Sequence, residues 1–210
     1  MKYQNLVLFI VLTAITLIFG FLFDWVLDSS QHYEAFLARD LLADQIEEMI
    51  NNQQQWKWLS YIFVVLFLLV KMTFISGTLA AGIFLFDYEV QFKKLFGIVL
   101  QAEFLFIIPV LIKFVWFLWI QTSYSFIDLQ YFYPLSALNI VGYEDLQPWF
   151  LYPFQVLNLF EIAYWIVLAY FIGEAIGGTA DHGFKIVLTS YVPALVIWVG
   201  CIMFVTLNYS

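Results

Sequence analysis

The sequence predicts an all-α polytopic integral membrane protein: one domain over residues 1–210, five transmembrane helices, N-terminus in the cytoplasm and C-terminus outside. Three observations carry that expectation. Five apolar runs each reach the roughly 20 residues that a helix needs to cross the hydrocarbon of a bilayer. Only 11% of the residues are charged and 64% are hydrophobic, against about a quarter charged in soluble domains. Aromatic residues make up 21%, with 24 Phe, which suits lipid-facing and interfacial positions. The net charge of −8, without a Lys/Arg cluster, argues against nucleic acid as a partner. The single cysteine, Cys201, allows no internal disulfide and no cysteine-based metal site. The bilayer is the expected solvent, and no cofactor is expected.

Span one covers about 5–27. It is too long for a signal-peptide core and ends in Phe-Asp-Trp-Val-Leu-Asp28 without a small-x-small cleavage pattern, so it reads as a retained span. An amphipathic helix follows over about 31–52, with Ser29 and Ser30 as N-cap candidates. Tyr33, Phe36, Leu37, Leu41, Leu42, Ile46, Met49 and Ile50 recur at three- and four-residue steps. Its polar face is acidic, with Glu34, Asp40, Asp44, Glu47 and Glu48 against Arg39. Two roles are open for it: packing on the bundle or in the interface, or docking a partner through Tyr33, Phe36, Leu37, Leu41 and Ile46. The amide run Asn51 to Gln55 is expected to end it.

Span two covers about 57–86 and is longer than needed, so it tilts or continues past the interface. Ser76, Gly77, Ala80, Ala81 and Gly82 permit close helix approach, and Lys71, Thr78 and Gly82 share one face. Span three, about 95–120, holds Gln101, Glu103, Pro109 and Lys113, and the proline suggests a kink. The aromatic loop that follows has no Lys or Arg and room for a short interfacial helix around Asp128 to Asn139. Span four, about 149–173, carries Gln155, Asn158 and Glu161 as one polar stripe. Span five, about 184–207, contains Pro193. The basic residues set the orientation: Lys2, Lys93, Lys94 and Lys185 inside against Arg39 and Lys57 outside.

Charged groups inside spans each cost at least about 2.5–3.5 kcal/mol at the membrane centre, so they seldom face lipid. Four are expected here: Lys71, Glu103, Lys113 and Glu161. At 1.5 Å rise per residue, Lys71 lies about 20 Å below the outer edge, Glu161 about 18 Å, Glu103 about 26 Å and Lys113 about 10 Å. Lys113 is therefore shallow enough to snorkel outward. Lys71 is not, and by depth its first partner is Glu161, with Glu103 second. A buried pair that fixes helix register and a proton or solute path are the competing readings.

The turn between spans four and five, Gly173 to Lys185, contains Gly177, Gly178, Asp181 and His182. Glycines supply the backbone angles of a tight turn. Glu174, Asp181 and His182 are metal-ligand types, but the other histidine, His32, is expected on the opposite side, so no metal site is predicted. No phosphate-loop lysine and no Gly-x-Ser-x-Gly nucleophile is present, so the chain reads as non-enzymatic.

The closing stretch carries a resemblance: Leu159-Phe160-Glu161 through Trp165, then Gly177-Gly178-Thr179, then Phe184-Lys185 through Tyr191 and Pro193. It resembles the last two spans of the YIP (Ypt/Rab-interacting protein) five-span family, in its bacterial branch. The Asp-Leu-Tyr-Gly-Pro motif of eukaryotic members has only a loose counterpart, Gly142 to Pro148, so vesicle trafficking and small-GTPase binding are not implied. The resemblance implies a bacterial inner (cytoplasmic) membrane protein with no catalytic residues to transfer. The leading expectation is an accessory subunit or scaffold in a larger inner-membrane protein complex. The alternative is a small transporter or channel component using Lys71, Glu161 and Glu103.

Overall fold

The computed structural model describes residues 3–27, 29–38 and 41–209. Lys2, Asp28, Arg39 and Asp40, named above, lie outside the described residues. Those described form helices joined by short connections, without a strand. Four helical runs are long and apolar enough to cross a membrane: Gln4–Val26, Asp44–Leu85, Phe92–Ile120 and Ala180–Tyr209.

The first run is α1 (Gln4–Val26). Next come α2 (Ser29–Leu37) and α3 (Ala43–Leu85). Here the expected amphipathic helix is corrected twice. It is divided between α2 and α3 rather than continuous, and the Asn51 to Gln55 run does not end it. Nothing in that run breaks a helix: it contains no Pro or Gly, so the hydrogen-bond ladder continues. The side chain of Gln45 reaches back to accept from the Leu42 N–H at 3.1 Å, which starts α3. The result is one helix of 43 residues, about 64 Å long. Part of the expected docking face packs on the chain itself. Tyr33, Phe36, Leu37, Leu41 and Ile46 are half-buried, and Tyr33 and Phe36 pack on Phe126 at 5.0 and 5.7 Å between ring centres.

The third run is α4 (Phe92–Glu103), a 3₁₀ turn over Phe104–Phe106, α5 (Ile107–Val115) and a π turn over Trp116–Ile120. Pro109 has no N–H for the Leu105 carbonyl, and the tighter turn falls just before it. The loop beyond holds two short helices, α6 (Phe126–Tyr131) and α7 (Ala137–Val141), in place of the single one expected.

The expected fourth span is not one helix. It is α8 (Pro148–Val156) and α9 (Leu159–Ala175), separated at Leu157 and Asn158. Asn158 is extended at φ −139°, and its side chain caps α9. Backbone bonds draw the loop onto this break: Ala137 N–H donates to Leu157 O at 2.8 Å, and Leu159 N–H to Leu135 O at 3.2 Å. The last run is α10 (Ala180–Thr189) and α11 (Tyr191–Tyr209), interrupted at Ser190.

The main core joins Met72, Ile75, Leu79 and Ile83 of α3 to Leu95 and Val99 of α4, Leu168 and Ile172 of α9, and Ile186 of α10. Among the small residues of α3, Ser76 and Gly82 are buried on this face. Gly77 and Ala81 are exposed on the other face, and nothing lies within 4 Å of a Cβ added at Gly77. Ala80 is half-buried. A Cβ at Gly82 would stand 2.5 Å from Ser190 Oγ, so this glycine admits the α10–α11 joint.

α1 buries only Leu12 and Thr13. The Thr13 hydroxyl is buried and has no partner among the described residues. An unsatisfied buried hydroxyl costs about 1–3 kcal/mol. Thr13→Val is therefore expected to raise stability by about 1 kcal/mol, read as a higher midpoint of thermal unfolding in detergent.

Candidate functional site

Lys71, Glu103 and Glu161 come together on three helices. Lys71 Nζ of α3 lies 2.8 Å from Glu103 Oε2 of α4, and 4.6 Å above the centre of the Phe106 ring. The other oxygen, Glu103 Oε1, accepts from Tyr164 Oη of α9 at 3.0 Å. Glu161, in the first turn of α9, accepts at Oε1 from Tyr191 Oη at 2.7 Å and from Trp165 Nε1 at 2.9 Å. Its Oε2 takes no hydrogen bond among the described residues. Tyr164 and Tyr191 stand edge to face, 5.7 Å between ring centres, and join the two carboxylates. Glu103 is 3% exposed and Glu161 8%, while the Lys71 side chain is 33% exposed.

The first-ranked partner of Lys71, Glu161, is thus corrected to Glu103. Depth counting takes one continuous helix from Trp149 to Glu161, but the extended break at Leu157 and Asn158 interrupts it, so a uniform rise does not carry through to Glu161. Glu161 remains in the same cluster, reached through the tyrosines. Neither tyrosine had been singled out. Tyr191 follows the interruption at Ser190, which only the fold reveals.

Each carboxylate sits beside a backbone irregularity. Glu103 is the last residue of α4 before the 3₁₀ turn. Glu161 lies three residues past the α8–α9 break, and its N–H donates to Asn158 Oδ1 at 2.8 Å. The Asn158 amide in turn donates to Gln155 O and Val156 O, at 2.8 and 3.0 Å. Tyr191 opens α11 after the break at Ser190. Irregular backbone, two acids, a lysine and two tyrosines therefore meet between four helices.

Two cavities lie along the third run, neither lined by a residue of this cluster. One, of about 440 Å³, is polar and lined by Asn5, Gln91, Lys93, Lys94, Gln101 and Glu174. The other, of about 400 Å³, is lined by Pro109, Lys113, Tyr133 and mainly apolar neighbours. In sequence, Glu103 falls between Gln101 of the first and Pro109 of the second, but it is buried on another face of α4 from Gln101.

The glycine-rich turn is a packing device. Gly177 has the positive φ of +69° that the turn requires. Gly178 lies beside His182, and a Cβ there would come 3.4 Å from His182 Nδ1. His182 Nδ1 is 3.0 Å from the Thr179 hydroxyl and 3.5 Å from its N–H, so it caps α10. Asp181 is exposed in the first turn of α10. Among the described residues, no three His, Cys, Asp or Glu side chains are placed to hold a metal ion.

In the loop after the third run, Ser125 and Asp128 form a reciprocal cap on α6. Tyr143 Oη donates a short bond to Asp128 Oδ1. Burial alone would raise the Asp128 carboxyl, but the bonds from Tyr143 and Ser125 outweigh it and hold it below its ordinary value. The same bond pushes the Tyr143 phenol up to about 12. A carboxyl held low adds stability that is complete above the unfolded value of about 3.9 and is lost as pH falls through the folded value. A raised phenol adds stability that is complete below its unfolded value of about 10 and is lost as pH rises through the folded one. Tyr143→Phe should therefore move the acid limb of unfolding to higher pH, in a series of melting curves from neutral to about pH 3. An unmoved limb would show that this bond is not made in solution.

No protein-family model, curated protein or solved structure matches this chain. Its reading rests on its own residues.

Proposed function

We propose that the protein is a small proton- or ion-conducting transporter component in a bacterial inner membrane, using Lys71, Glu103 and Glu161. In this reading it crosses five times, with the N-terminus in the cytoplasm and with α8 and α9 in series as the fourth span. The observation that carries it is the meeting of three interrupted helical runs on one buried acid–lysine–tyrosine cluster. Irregular backbone is tolerated at membrane depth only inside protein or beside a water-filled cavity. Transporters build their ion and substrate sites from such broken helices near the midplane. Here Tyr164 donates to Glu103 and Tyr191 to Glu161, and the two rings meet edge to face, which links the two acids. The YIP resemblance belongs to the same proposal: it supports the five-span inner-membrane frame and supplies no catalytic residue.

The test is flux. Purified protein in liposomes loaded with a pH-sensitive dye should dissipate an imposed pH gradient faster than empty liposomes, and Glu161→Gln should remove most of that excess. Equal rates for protein-loaded and empty liposomes would overturn the reading.

A second reading, accessory subunit or scaffold, is favoured by a different observation. The first turns of α3 carry exposed Asp44, Glu47 and Glu48, and exposed Trp56 and Trp58 mark a boundary below them. The helix therefore projects about 20 Å beyond an interface at those tryptophans. Mild extraction through a C-terminal tag decides: a stoichiometric membrane-protein partner supports this reading, and a lone monomer or homo-oligomer removes it.

A further inference from the structure

Lys113 has neither an ion pair nor a hydrogen bond among the described residues, in contrast to Lys57 and Lys71. It is half-buried on α5. It lines the second cavity, of about 400 Å³. The walls there are Phe23 of α1, Val110 of α5, and Phe126 and Leu129 of α6, with Gln130 and Tyr133 as the remaining polar residues. A cation withdrawn from water without a counter-charge is strongly unfavourable, by several kcal/mol even after relaxation. The described residues supply no such counter-charge. An anion carried by a ligand would complete the site. The apolar walls select one that brings a hydrocarbon chain with it.

We propose that this cavity binds an anionic membrane phospholipid, with its phosphate on Lys113 and one acyl chain along Phe23, Val110 and Leu129. The depth of Lys113 agrees with this. It lies about two turns from the end of its span, and its four-carbon stem reaches toward the headgroup layer. Gln130 and Tyr133 offer an amide and a hydroxyl to the same headgroup. This site is separate from the Lys71 cluster and does not depend on conduction. It rests on the chain lying in a bilayer, which is checked separately: the protein should leave cell membranes with detergent and stay in them through high-salt and alkaline washes.

The experiment is a lipid titration of the detergent-purified protein by native mass spectrometry, with phosphatidylglycerol and phosphatidylcholine as probes. Wild type should prefer phosphatidylglycerol, and Lys113→Met should weaken it about tenfold. Lys113→Arg, which keeps the charge, and Lys185→Met, at an exposed position of α10, should leave it within about threefold. Lys113→Met removes an unpaired charge, so it should melt no lower than wild type, which separates lost binding from lost folding. Soluble glycerol phosphate should fail to displace the lipid. Equal phosphatidylglycerol binding by Lys113→Met, or equal binding of phosphatidylcholine by wild type, would overturn the proposal. Displacement by glycerol phosphate would overturn it too, by showing a site for free anions.

Discussion

Lys71→Met is expected to lower the stability of the protein in mild detergent by about 3 kcal/mol, because it leaves the Glu103 carboxylate buried and half-satisfied. Glu103 is 3% exposed. Without the lysine it keeps only the bond from Tyr164. The loss is held to the lower end of the range for broken buried pairs of about 3–5 kcal/mol, since Lys71 itself is partly solvated. Glu103→Gln alone should also destabilise, by stranding the ammonium. The double variant Lys71→Met/Glu103→Gln should recover much of the sum, with a coupling above about 1 kcal/mol. The corresponding cycle for Lys71 and Glu161 should couple more weakly, because that interaction is through space and no bond joins them. Additive melting shifts for the Lys71–Glu103 pair would show that the pair does not hold the helices together.

Gly183→Ala should have an effect of similar size through pure sterics. A Cβ on Gly183 would stand 1.9 Å from Ala169 O and 2.8 Å from the Gly173 nitrogen, both backbone atoms of α9. On the opposite side, a Cβ on Gly173 would stand 2.5 Å from Thr179 O. The two glycines thus let α9 and α10 touch backbone to backbone. No side-chain rotation relieves the clash, so the helices must separate. The cost is about 3 kcal/mol, at the upper end for overpacking in a well-packed core. Gly77→Ala is the matched control: it adds a methyl group to an exposed face and should not lower the melting midpoint. Equal midpoints for Gly183→Ala and wild type would mean that α9 and α10 do not approach this closely.

Much of the helical frame was legible in the sequence. Hydropathy alone places the start and end of α1 and of the third run within a few residues of where they fall, because apolar length is read one residue at a time. Interruptions were harder. Pro109 announced the irregular turn beside it, but Asn158 gave no such warning: it fits a polar stripe as well as it fits a cap. What extends the chain there is the loop backbone bonded at Leu157 and Leu159, a contact between segments about twenty residues apart. The charged cluster was legible as a set of residues but not as a set of pairs. Its wiring depends on Tyr164 and Tyr191, two of 13 tyrosines in the chain, and no local pattern distinguishes them from the others. The glycine turn shows the same limit. Gly177 is needed for its dihedral angle, which the turn predicts, whereas Gly183 is needed for what lies across from it.

The length of α3 has a mechanical consequence. Lys71 is 28 residues from Ala43 on one unbroken helix, a rod of about 42 Å. A rod of that length turns rotation into displacement: a tilt of about 10° around Lys71 carries the acidic tip through roughly 7 Å. Making or breaking the Lys71–Glu103 ion pair can therefore be felt as movement of the acidic end of the same helix, about 42 Å away.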